Sequence, residues 1–119
     1  MNPQTTYELG IAAENQALAF LAQQGLQLII RNYRCYSGEI DLIMRDQRDV
    51  VFVEVRKRTW QDYGTALESI TYGKRKKLIR AATHFLQLKR WLYKINSRFD
   101  VVLIQHQDEI EWIKHAFEV

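Results

Sequence analysis

A single cysteine, Cys35, excludes an internal disulfide, which suits a reducing cytoplasm. One proline and five glycines leave no material for Pro- or Gly-rich linkers, and no internal repeat is present. Apolar runs are only a few residues long, as at Val50 to Val53, so no segment reads as a membrane span. The start, Met1 to Thr6, lacks the basic residues and apolar run of a secretion signal. A cytoplasmic protein with no membrane partner is therefore expected. His84, His106 and His115 have no ligand spacing with one another or with Cys35, which argues against zinc.

The most informative shortage is of negative charge. From Ser69 to Phe99 there is no acidic residue, yet nine of the 17 lysines and arginines lie there. Such a block is the footprint of a phosphate-binding surface, or of a solvated helix face. The run Lys74-Arg75-Lys76-Lys77 falls in the first turns of a helix, where the macrodipole disfavours cations unless an anion docks nearby. With Arg58 and Arg80 these four residues are the candidate nucleic-acid contacts.

What is present fits one domain, residues 1–119. Thr5 and Glu8 have capping-box spacing, and Gly25 stands where a helix-ending glycine belongs. Between them Tyr7, Gly10, Ile11, Ala17, Leu18 and Leu21 fall on one face, with Glu14 at its centre. A carboxylate there is costly unless a cation or hydrogen bonds meet it. Leu26 to Tyr36 reads as a strand with an irregularity, and Gly38–Arg45 with Val50–Arg58 as a hairpin. A long helix from Thr71 carries Leu78, Ala81, Ala82, Phe85 and Leu92 inward. Phe99–Ile104 is a further strand, and Glu109–Ile113 a short last one before a helical turn. The order α-β-β-β-α-β-β predicts an α/β fold, a mixed central sheet flanked by helices.

The hairpin places charges. With residues 46–49 as its loop, opposed residues sum to 95, so Asp41 faces Glu54 and Glu39 faces Arg56. Opposed carboxylates, with Cβ atoms about 5 Å apart, destabilise a sheet. A hard divalent cation between them removes that penalty. The other reading is an internal ion-pair network, linking Glu54 or Asp41 to Arg56, Glu39 to Arg58, and Glu14 to either arginine. Trp60, Tyr63 and Tyr72 flank the hairpin exit and the helix start, suited to packing over the sheet edge or to stacking on bases. Asp100 beside Arg98 reads as a local salt bridge.

Gly38-Glu39-Ile40-Asp41-Leu42-Ile43 and Val51-Phe52-Val53-Glu54-Val55-Arg56-Lys57-Arg58 resemble the YraN-type family of small bacterial proteins. The resemblance continues through Tyr63-Gly64, Glu68-Ser69-Ile70, Lys74, Lys77-Leu78, Ala81-Ala82 and Arg98-Phe99-Asp100-Val101-Val102. That family is similar to archaeal Holliday junction resolvases within the restriction-endonuclease-like, PD-(D/E)XK superfamily. The resemblance implies a restriction-endonuclease-like core and a magnesium (or manganese) site formed by Asp41, Glu54, the Val55 carbonyl and Glu14. It implies an endonuclease acting on DNA, including branched DNA, and a homodimer. The signature lysine position holds Arg56, which stays protonated and cannot serve as a general base. Arg56 is thus expected to stabilise the transition state. The alternative is a nucleic-acid-binding module with the same fold and little catalysis.

Overall fold

The computed structural model describes residues 5–58 and 70–118. The elements are α1 (Thr6–Gln23), β1 (Gln27–Cys35), β2 (Gly38–Asp46), β3 (Asp49–Lys57), α2 (Tyr72–Leu88), β4 (Ser97–Ile104) and β5 (Ile110–Phe117). A three-residue 3-10 turn, His106–Asp108, precedes β5. This is the expected order and fold class.

Helix α1 begins with the expected capping box between Thr5 and Glu8. It ends at Gln23 with Gln24 as its C-cap, and Gly25 follows at φ 96°, a left-handed position that glycine occupies without strain. Its buried residues are Ala13, Ala17 and Leu21, whereas Tyr7 and Gly10 are exposed. The expected apolar face is thus displaced, because packing against the sheet starts only at Ala13. Helix α2 buries Leu78, Ala81, Ala82, Phe85 and Leu86. Leu92, expected on the same stripe, lies beyond the helix and packs against the core from the following turn.

The five strands lie in the order β1-β2-β3-β4-β5. Among the described residues only β3 and β4 pair in parallel, and α2 lies within the connection between them, as a parallel crossover requires. One face of the sheet packs Tyr33, Ile40, Ile43, Phe52 and Phe99 against the apolar stripe of α2. The other packs Leu42, Met44, Val51, Val53, Val102 and Ile104 against Ala13, Ala17 and Leu21 of α1. The result is three layers, helix on sheet on helix.

The β2–β3 register sums to 95 as expected, but the ladder continues to Asp46↔Asp49. The turn is therefore two residues, Gln47 and Arg48, with Gln47 at φ 57°, rather than four. The irregularity expected in β1 falls between Leu28 and Ile30. Strand β5 runs to Phe117, so no helical turn follows Ile113 among the described residues. Trp60, Tyr63, Gly64, Glu68 and Ser69 lie outside those residues. No helix among the described residues is long and apolar enough to cross a membrane.

Candidate functional site

Strands β2 and β3 separate at one end of the sheet. Their ladder reaches Leu42↔Val53 and stops; beyond it Ile40 and Glu39 pair only with β1, and Glu54 to Lys57 pair with β4. Parting strands leave backbone groups to be satisfied by other means. The Val55 N–H donates to Asp41 Oδ2 at 2.9 Å, so a side chain replaces the missing ladder bond. Alternation also breaks here, since Ile40 and Ile43, three positions apart, both face α2. In β1 the neighbouring irregular residue is Asn32, at φ 52°.

The gap opens into a cavity of about 460 Å³ lined by Glu14, Asp41, Glu54, Val55, Arg56 and Lys57, with Thr6 to Ala13 of α1 forming its other wall. The structure therefore brings together all five residues expected at the catalytic metal site. Lys57, which strict alternation turns away, also reaches this cavity because the strand end is splayed. Glu39 does not face Arg56; it pairs with Arg34 across β1, at 3.5 Å.

Glu54 is 5% exposed. Its Oε1 stands 3.4 Å from Arg56 Nε and 3.5 Å from Lys74 Nζ, longer than the roughly 2.7–2.9 Å of a well-formed charge-assisted hydrogen bond. Its Oε2 is buried with no hydrogen-bond partner, a costly state for a carboxylate oxygen. Burial raises the Glu54 pKa, and Lys74 and Arg56 pull it back only in part. Asp41 is pushed up to about 7, chiefly by burial and then by the charge of Glu54, against the Val55 N–H. Glu14 also repels Asp41, while its own Oε1 lies 3.5 Å from Arg31 Nη2.

These groups fit a magnesium ion in a limited sense. Among the described residues no three His, Cys, Asp or Glu side chains cluster closely enough to enclose a metal. Magnesium does not need that: it keeps several waters and is bound by one or two carboxylates with substrate phosphates. Asp41 and Glu54 offer hard oxygens, and the buried Glu54 Oε2, without a hydrogen bond, is free to take a cation as ligand. Glu14, held by Arg31, fits a contact through water.

The basic run does not act as one surface. Lys74 turns to Glu54, and Arg75 lies over the Phe117 ring, 5.5 Å from its centroid. Lys76, Lys77 and Arg80 remain exposed. The anion that offsets the cation-rich start of α2 is thus, in part, the protein's own Glu54. Sequence reasoning gives Lys74 to the outer surface; the only available signal is its unfavourable place at a helix N-terminus. Arg31, Arg34 and Asn32, which surround Glu14 and Glu39, carry no signal. Arg58 is half-buried, and its N–H donates to the Ile104 carbonyl at 2.8 Å.

Comparison with known proteins gives a consistent result. The family described as "Uncharacterised protein family UPF0102" matches residues 13–104. The chain is similar to a UPF0102 protein of Nitrosomonas eutropha, 52% identical over 114 residues, covering 96% of this chain and 97% of the relative. A Pseudomonas putida UPF0102 protein is 50% identical over 113 residues, covering 92% and 91%. One from Coxiella burnetii is 46% identical over 114 residues, covering 96% and 95%.

Proposed function

The chain belongs to the UPF0102 family, and on that premise we propose that it is a magnesium-dependent endonuclease hydrolysing phosphodiester bonds of DNA. The observation that carries this reading is the buried, unpartnered Glu54 Oε2 beside Asp41 at the wall of an open cavity. The resemblance of the Asp41, Glu54 and Arg56 motif to the PD-(D/E)XK superfamily supports it and extends it to branched DNA and a homodimer, while the single cysteine suits a cytoplasmic location.

In this reading Asp41, Glu54, the Val55 carbonyl and Glu14 would hold the ion. Magnesium or manganese bound there would supply a water of lowered pKa and positive charge for the phosphate. The remaining work falls to the chain. The Val55 N–H fixes the Asp41 carboxylate, and Lys74 and Arg56 hold Glu54 from the other side. Arg56 cannot accept a proton, so it orients the nucleophile and stabilises the charged transition state. Exposed Lys76, Lys77 and Arg80 take flanking phosphates.

The test is cleavage of plasmid and four-way-junction DNA by purified protein in Mg2+. Glu54→Gln is expected to lower the rate at least 100-fold while leaving folding intact; equal rates in both proteins remove the assignment. One observation favours a second reading, DNA binding without turnover: Arg56 holds the signature lysine position and approaches Glu54 at 3.4 Å. That reading predicts salt-sensitive binding and no cleavage with any metal.

A further inference from the structure

The carboxylate cavity has a neighbour. A second cavity of about 310 Å³ is lined by Tyr7, Asn32, Arg34 and Glu39, and it shares Thr6, Gly10, Glu14 and Asp41 with the first. Gly10 belongs to both walls and has no side chain to divide them.

The glycine itself is unexplained by the fold. It is exposed in the body of α1, four residues after the helix begins. A Cβ built on it meets nothing within 4 Å, and its φ is not among the positive ones. Packing therefore makes no demand for glycine, and helix propensity ranks it below every residue except proline. With open space over it and no side chain, Gly10 leaves room for the backbone of a bound chain to approach the helix closely.

Resting on the nuclease reading above, we infer that the trough over Gly10 carries a single strand of nucleic acid from the carboxylate cavity into a nucleotide pocket bounded by Tyr7, Asn32 and Arg34. Both volumes match small-ligand pockets and suit one nucleotide each. Tyr7 is 73% exposed beside the second pocket, as a base-stacking platform requires. Arg34 is largely exposed, and its exposed bridge to Glu39 is weak enough to exchange for a phosphate. Glu14, Glu39 and Asp41 repel a phosphate chain in the absence of metal, so a divalent cation strengthens strand binding.

The test measures anisotropy of a labelled single-stranded oligonucleotide, and of its duplex, in Ca2+ and in EDTA. Thermal stability is followed in the same proteins. Wild type is expected to bind the single strand more tightly than the duplex, and more tightly with Ca2+. Gly10→Leu is expected to lose at least tenfold in single-strand affinity with a Tm unchanged or raised by a few degrees. Tyr7→Ala is expected to lose at least fivefold. Equal single-strand affinity in Gly10→Leu overturns the trough, and so does a fall in its Tm, which returns the glycine to packing. If those results coincide with cleavage that Glu54→Gln abolishes, the trough fails alone and the nuclease reading stands. If wild type binds neither DNA form, both fall.

Discussion

The Lys74 ammonium, in the first turn of α2, stands 3.5 Å from the Glu54 carboxylate on β3. The pair joins the helix most crowded with cations to the most buried acid of the site. Removing one partner of a buried pair leaves an uncompensated charge, worth several kcal/mol at full burial. Lys74 is 39% exposed and Arg56 remains, so Lys74→Met is expected to cost only about 1–2 kcal/mol in EDTA. Mg2+ should restore more stability to Lys74→Met than to wild type. Equal Mg2+ responses, measured by urea titration, contradict this role.

The Asp41 proton gives a pH signature. Its carboxyl is raised from 3.8 to about 7 on folding, so the folded chain holds a proton that the unfolded chain releases. Its contribution to stability is greatest below about 4, falls as pH rises toward 7, and is flat above. In EDTA at pH 8, Asp41→Asn is expected to be more stable than wild type, with the difference vanishing near pH 4. Metal must displace that proton, so Mg2+ binding should strengthen as pH rises through about 7. A calorimetric titration at pH 6 and pH 8 measures both the affinity change and the proton release.

Asp100 separates stability from function. It is 1% exposed and accepts hydrogen bonds from Arg98 Nε at 3.0 Å, Trp112 Nε1 at 2.9 Å and the His115 N–H at 3.1 Å. Arg98 also donates to Asp46 at 2.9 Å, tying β4 to β2 and β5. Asp100→Ala leaves Arg98 half-compensated and should destabilise by about 3–5 kcal/mol. Where the variant remains folded, at low temperature, its DNA affinity should equal that of wild type.

The exposed α2 cations supply a salt signature. Deleting one cation that neutralises a phosphate reduces the slope of log affinity against log salt by about 1. Lys77→Ala and Arg80→Ala should each show that reduction with little change in sequence preference. Lys76 lies 4.6 Å from the Tyr72 ring centroid, so Lys76→Ala also frees an exposed ring and should show a similar slope change.

The site is legible in the sequence where local pattern determines geometry. The 95-sum register follows from alternating apolar residues on both sides of a short polar turn, and it holds as far as Leu42↔Val53, so Asp41 and Glu54 meet at the end of the ladder rather than as a directly opposed pair. It fails one step further, at Glu39 and Arg56, because strands that part no longer obey a ladder. The same splay brings Lys57 to the cavity against simple alternation. Glu14 stands out because a carboxylate interrupts an apolar stripe, although the buried stripe itself is Ala13, Ala17 and Leu21. Lys74 reads as a surface residue because helix periodicity does not tell which strand a helix start abuts. Arg31 and Arg34 are silent, since an arginine on an edge strand usually faces water.

The most direct measurement is anomalous scattering from crystals soaked in Mn2+. A peak is expected in the gap between β2 and β3, within coordination distance of Asp41 and the second Glu54 oxygen, and it should disappear in Glu54→Gln. Well-ordered acids there with no peak, and Glu54 still bound only by Arg56 and Lys74, would contradict the metal site.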